Sequence, residues 1–304
     1  MVCQKPFLKW YPELNQYLPF GCGRCYACRV KNASQWAVRM QLESLDYDQS
    51  ELHFVTLTYA DQNLPANRSL SPRDVQLFWK RLRKHLNYKI RYWLCGEYGD
   101  QTMRPHYHAI ICGLKKTDTH LVHQAWGLGI TEIKPAYTGS FYYVSGYVTK
   151  KLNAVKDWKL KYPTLVPPFM RCSLGFGKSF VDKATSYSHL LRIGSKDVYI
   201  GRYLRNKLAE KFGIVEAVKN DGLAKLYDSI METIDMFKGK YEPEPMSKTP
   251  IKDLTIFCYN TRYQGDFDLQ NARIRLNFRG DCNDRPPIKN FTNEAINGGY
   301  RNTG

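Results

Sequence analysis

Apolar positions along the chain change period several times, and each change marks an element. Residues 33–46, Ala-Ser-Gln-Trp-Ala-Val-Arg-Met-Gln-Leu-Glu-Ser-Leu-Asp, read as a helix. Residues 52–59, Leu-His-Phe-Val-Thr-Leu-Thr-Tyr, are β-branched and aromatic, hence a strand. After a loop through Pro65 to Leu70 a second helix begins sharply. Ser71 suits its cap, Pro72 its first position and Asp74 its first turn. Val75, Phe78, Leu82 and Leu86 recur at helical spacing and leave Lys80, Arg81, Arg83 and Lys84 on the outer face. Strands are predicted over 89–97 and 106–112, with a turn at Gly99-Asp100. A short helix near 118–126, a strand near 129–134 and a helix from Gly139-Ser140 to near Leu152 follow. Strands joined by so tight a turn are antiparallel. The order therefore predicts an α+β fold, a central antiparallel sheet flanked by helices.

Outside this stretch the pattern is weaker. Residues 1–31, rich in Pro, aromatics and Cys, read as irregular. Beyond Pro163, residues 198–237 are helical in pattern, and 254–259 with 273–278 are predicted to pair as a hairpin. Residues 281–304, rich in Asn, Gly and Pro, are predicted to be a flexible tail. The expected organisation is a Cys-rich segment 1–31, a core 32–160, and a partly helical C-terminal region 161–304 with no assigned role.

Composition narrows the classes. Aromatic residues make up 14% of the 304, which excludes wholesale disorder. Lys plus Arg number 45 against 28 Asp plus Glu, a net charge of +17, which implies a polyanionic partner, nucleic acid first and an anionic membrane second. No apolar run approaches the roughly 18 residues of a membrane span. The start, Met1-Val2-Cys3-Gln4-Lys5-Pro6, lacks the apolar stretch of a signal peptide, so a soluble cytosolic protein is expected. Nine cysteines, an odd count, argue against a disulfide scaffold. Cys22-Gly-Arg-Cys25-Tyr-Ala-Cys28, with Cys3 as a fourth ligand, has zinc-site spacing. The same spacing opens a ferredoxin-type cluster, but the ligand that should follow closely is missing. Free thiols are the remaining alternative.

The chemistry centres on three places. His106-Tyr107-His108 lies on a predicted strand, where residues two apart share a face, so both imidazoles point one way. Alone, such a pair is commonly accidental. Glu97 ends the preceding strand, and antiparallel pairing would bring it beside them. Two histidines and a carboxylate then leave coordination positions open on a divalent metal. On the last helix Tyr143, Tyr147 and Lys151 form one stripe, while Phe141, Val144, Val148 and Leu152 form another suited to a core. Packing tyrosines are the plain alternative. Gly177-Lys178-Ser179 is not a phosphate loop, because Cys172 stands where its first glycine is required. His120 and His123 read as surface or packing residues.

These residues resemble a known family. Phe54-Val-Thr-Leu-Thr-Tyr59, His106-Tyr-His108 and Tyr143-x3-Tyr147-x3-Lys151 are similar, in order, to the motifs of HUH endonucleases, the rolling-circle replication initiators. Cys22-Gly-Arg-Cys25-x2-Cys28-Arg29, Gly96-Glu97-Tyr98-Gly99, Arg104-Pro-His-Tyr-His-Ala109 and Gly146-Tyr-Val-Thr-Lys-Lys151 resemble initiators of gokushovirus-like Microviridae. The likeness covers roughly residues 20–155, about half the chain. It implies an HUH core that nicks and rejoins single-stranded DNA at a phage origin through a 5′-phosphotyrosine. Tyr143 and Tyr147 would be the nucleophiles, with Lys150 and Lys151 stabilising charge. Glu97, His106 and His108 would hold Mg²⁺ or Mn²⁺; with two nitrogen ligands of three, Mn²⁺ suits better. Implied partners are single-stranded DNA and host replication proteins in the host bacterial cytoplasm, with no membrane. Lys80, Arg81, Arg83 and Lys84 are candidate DNA contacts, or a solvated face. The competing reading is a basic nucleic-acid-binding protein that cuts nothing. A relaxase or transposase nuclease is a third, disfavoured by the second tyrosine.

Overall fold

The computed structural model describes residues 2–279 except 100, 152–154, 194–195 and 246; for 147–151, 155–157, 193, 196 and 272–279 it describes the backbone alone. The tail expected at 281–304 lies outside the described residues. In chain order the strands are β1 (Phe7–Tyr11), β2 (Gln16–Phe20), β3 (Leu52–Thr58), β4 (Arg91–Tyr98), β5 (Pro105–Cys112), β6 (Thr131–Pro135), β7 (Phe169–Cys172), β8 (Leu190–Ile193) and β9 (Lys196–Tyr199). The helices are α1 (Tyr26–Ser44), α2 (Pro72–His85), α3 (His120–Trp126), α4 (Thr138–Lys151), α5 (Val155–Lys161), α6 (Ser179–Lys183), α7 (Arg202–Lys211), α8 (Val215–Phe237) and α9 (Pro250–Arg279). The chain forms two compact units, one from residues 32–208 and one from 2–31 with 209–279 among the described residues.

The unit of residues 32–208 is built on a five-stranded sheet in the order β6-β3-β5-β4-β7, antiparallel throughout, so the α+β expectation is borne out. Alternation along the strands sorts its side chains. Val55, Leu57, Tyr59, Leu94, Tyr98, Tyr107, Ala109 and Ile111 meet Val75, Phe78, Trp79 and Leu82 of α2 and Val122, Ala125 and Trp126 of α3. On the opposite face Leu52, Trp93, Cys95, Ile110 and Cys112 meet Met40 of α1, Phe141 and Val144 of α4, and Phe176. Each fully buried large side chain contributes about 1.5–3 kcal/mol by leaving water. The cap expected at Ser71 forms, its Oγ accepting the Asp74 N–H at 3.2 Å. β7 joins the sheet from beyond residue 160; four residues are too few to show a period.

The other unit corrects two expectations. Residues 1–31 are not irregular: β1 and β2 pair as a hairpin from Phe7↔Phe20 to Tyr11↔Gln16. Pro19 disguised the second strand, yet in a two-stranded hairpin every strand is an edge, where proline is tolerated. The predicted hairpin of 254–259 with 273–278 is absent, because both segments lie in α9. Thr255, Tyr259, Tyr263, Phe267 and Gln270 recur at three- and four-residue steps, and four of these five are buried. That helical stripe outweighs the local β-propensity of Ile256-Phe257. Leu18 of the hairpin packs with Ile230 and Ile234 of α8 and Cys258, Tyr259 and Phe267 of α9. Among the described residues no helix is long and apolar enough to cross a membrane.

Candidate active site

β4 and β5 place Glu97 directly opposite His106 and Cys95 opposite His108, while β3 sets Thr56 on the other side of His108. One carboxylate oxygen of Glu97 lies 3.0 Å from His106 Nε2 and 3.2 Å from His108 Nε2. Glu97 and His108 are buried. One ligand atom from each of the three residues lies within 4.8 Å of the others. Two imidazole nitrogens and one carboxylate oxygen are a donor set that suits Mn²⁺ and also admits Mg²⁺.

The partners of the rings strengthen that fit. His106 Nδ1 is 3.0 Å from the Arg104 carbonyl, which can only accept, so Nδ1 carries a proton. The neutral ring then turns an Nε2 lone pair toward the Glu97 carboxylate at 3.0 Å. Such a contact calls for positive charge between the two atoms, a proton or a metal cation. His108 Nδ1 is 3.1 Å from Thr56 Oγ1. Outer hydrogen bonds of this kind orient metal-binding imidazoles.

The residue between the histidines points to the opposite face and anchors the strand. The Tyr107 hydroxyl accepts the Ser71 N–H at 2.8 Å and lies 2.9 Å from the Tyr59 hydroxyl, which donates to Asp74 Oδ2 at 2.8 Å. Burial pushes Tyr107 up to about 12 and raises Tyr59 as well, so both stay protonated as struts. Gly96 makes room for this ring: a Cβ there would sit 3.1 Å from Tyr107 and Leu70 side-chain atoms.

Aromatic contacts link the site to α4. Phe54 stacks on His108 with ring centroids 5.5 Å apart, and Tyr143 meets Phe54 edge-on at 6.0 Å. Tyr143 thus stands one ring away from a candidate ligand. Tyr147, Lys150 and Lys151 continue the helix backbone, but their side chains lie outside the described residues. The contact roles of Phe54 and Thr56 were missed in sequence. Their signal was present, since both belong to the first motif and share the strand face that adjoins His108.

The basic residues of α2 separate into two groups. Lys80, Arg83 and Lys84 are exposed, on a helix that covers the sheet face opposite the triad. Arg81 instead donates from Nε to the Ala125 carbonyl at 2.7 Å and from Nη2 to the Trp126 carbonyl at 3.1 Å. It closes the C-terminal end of α3, where unpaired carbonyls favour a cation. Cys3, Cys22, Cys25 and Cys28 also converge, in the other unit, with ligand atoms within 4.8 Å of one another.

Residues 52–152 match the family of the phage replication-associated protein ORF2. The chain is similar to Replication-associated protein ORF2 of Spiroplasma virus 4, 32% identical over 182 residues, 52% of this chain and 56% of that one. It is 33% identical over 187 residues to Replication-associated protein VP4 of Bdellovibrio phage phiMH2K, covering 54% and 58% of the two chains. With Replication-associated protein ORF4 of Chlamydia phage 1 it shares 29% identity over 168 residues, 47% and 41% of the two. The chain thus spans about half the length of the curated relatives it matches. No solved structure matches. The resemblance read from the motifs is borne out, and the matched region contains Glu97, His106, His108 and Tyr143.

Proposed function

We propose, on the likeness to phage replication-associated proteins, that this protein starts rolling-circle replication by nicking and rejoining single-stranded phage DNA. The observation that carries the reading is the convergence of Glu97, His106 and His108 beside the helix that bears Tyr143. These three residues would hold Mn²⁺ or Mg²⁺, which when bound polarises a phosphodiester as a Lewis acid.

The chain's own residues supply the rest. A Tyr143 or Tyr147 phenolate attacks the scissile phosphorus. The tyrosyl O–P bond forms as the bond to the 3′ oxygen breaks, and the proton lost by the phenol ends on the 3′-hydroxyl. One phosphodiester is exchanged for another, so the nick can be resealed without ATP. With two tyrosines, one holds the 5′ end while the other cuts the regenerated origin. Lys150 and Lys151 stabilise phosphate or phenolate charge. Lys80, Arg83 and Lys84, away from the triad, hold flanking DNA, and the excess positive charge draws the strand in. The reaction belongs in the host bacterial cytoplasm, where host replication proteins extend the free 3′ end.

Incubation of the full chain with a circular single-stranded phage genome and Mn²⁺ or Mg²⁺ tests this. The expected product is a covalent protein–DNA adduct that survives denaturation. Tyr143→Phe and Tyr147→Phe should each leave part of single-round cleavage, and the double substitution should abolish the adduct while DNA binding persists. An adduct from the double variant would place the nucleophile elsewhere. DNA binding without cleavage under either metal would favour the pure binding protein.

A further inference from the structure

Four of the cysteines have no part in that chemistry. Cys22 and Cys25 flank Gly23, whose φ of +75° is left-handed backbone that glycine adopts without strain. Cys28 follows three residues after Cys25, on the first turn of α1, so the two share a helix face. Cys3 comes from the segment ahead of β1.

The sulfurs are arranged as ligands. Cys22 Sγ accepts the N–H groups of Arg24 at 3.4 Å and Cys25 at 3.3 Å, and Cys3 Sγ accepts the Cys22 N–H at 3.3 Å. Backbone donors aimed at sulfur favour thiolates. Cys3 Sγ and Cys25 Sγ are 3.8 Å apart. A disulfide needs about 2.05 Å. Two thiolates on a tetrahedral zinc, each with Zn–S about 2.3 Å, lie about 3.8 Å apart.

We propose that Cys3, Cys22, Cys25 and Cys28 bind one structural Zn²⁺, which fastens the N-terminal segment against α9. Each thiol gives up its proton to the solvent on binding, with no change of oxidation state. Four sulfur ligands fill the coordination sphere and leave no position for a substrate. The residues around Cys3 are already tied to α9. The Tyr259 hydroxyl donates to the Cys3 carbonyl at 2.9 Å, Gln270 Nε2 to the Val2 carbonyl at 3.0 Å, and Gln4 Nε2 to Asn271 Oδ1 at 3.0 Å. The metal closes the loop from Cys3 to Cys22 around the β1–β2 hairpin. Without it, those few hydrogen bonds must hold a short terminal segment that would otherwise fray.

The full chain purified from zinc-sufficient medium should carry one zinc, released when an organomercurial titrates the thiols. The zinc should remain when His106 and His108 are both replaced by alanine, which separates it from the other candidate site. Cys25→Ser should lose it. Should that variant not fold, cobalt substitution of the wild type reads the ligands directly, with the intense visible bands and thiolate charge transfer of a four-sulfur tetrahedral site. Removing zinc should speed amide exchange in residues 2–28 and leave β3 and β5 protected. Free thiols with no metal, iron and sulfide in place of zinc, a disulfide from Cys3, or cobalt without thiolate transitions would each overturn the proposal.

Discussion

Glu97 and His106 face each other across β4 and β5, and one oxygen of the carboxylate lies 3.0 Å from Nε2 of the ring. Because His106 Nδ1 donates to the Arg104 carbonyl, a glutamine amide at 97 could donate to the Nε2 lone pair and keep the contact without the charge. Glu97→Gln should therefore fold normally. It should weaken Mn²⁺ binding by more than about 100-fold, beyond what losing a supporting partner costs, and should yield no DNA adduct. Titration with Mn²⁺ followed by calorimetry measures this; wild-type affinity in the variant would mean that no metal sits there.

Thr56 tests the outer support of His108. Thr56→Val keeps the shape and removes the hydroxyl that lies 3.1 Å from Nδ1. Metal affinity should fall by about 10–100-fold, while stability drops by only about 0.5–1.5 kcal/mol. Denaturant unfolding and metal titration on the same sample separate the two effects. A large loss of stability with unchanged metal affinity would make Thr56 a packing residue.

The α2 cations should divide in function as they do in hydrogen bonding. Arg81→Ala removes two hydrogen bonds to the last carbonyls of α3 and should cost about 1–3 kcal/mol of stability. Replacing Lys80, Arg83 and Lys84 together by alanine should leave stability nearly unchanged. It should lower the salt slope of single-stranded DNA binding by about 0.7 for each phosphate that is no longer neutralised. An unaltered slope would identify that face as solvated only.

His53 gives the sheet an acid sensitivity. Its Nε2 lies 2.9 Å from the Leu114 carbonyl and so carries the proton of the neutral ring. Burial lowers its pKa below the ordinary 6.5, against a smaller opposing effect of the hydrogen bond to Leu114. The unfolded chain therefore binds a proton near pH 6.5 that the folded chain refuses until lower pH. Stability is unaffected by this group above that value and falls as the pH drops below it, by at most about 1.4 kcal/mol per pH unit. His53→Gln should flatten that slope in denaturant titrations run from neutral pH down to about pH 5; an unchanged slope would assign it to other groups.

Local spacing settled much of this protein, because helix and strand periods belong to the chain itself. The Ser71 cap, the apolar stripe of α2 and the shared face of His106 and His108 could all be read without a fold, and so could the candidate role of Glu97. Other outcomes needed partners distant in sequence. Arg81 has the same outward position in the pattern as its neighbours, and only the approach of α3, 44 residues away, turns it into a cap. Thr56 becomes a support for a histidine 52 residues on only through the β3–β5 register. The segment around Phe257 has a locally plausible strand pattern and becomes helix because one long stripe finds the hairpin and α8 to pack against. Periodicity records which side chains share a face. What lies opposite that face is a property of packing, and packing alone decided it.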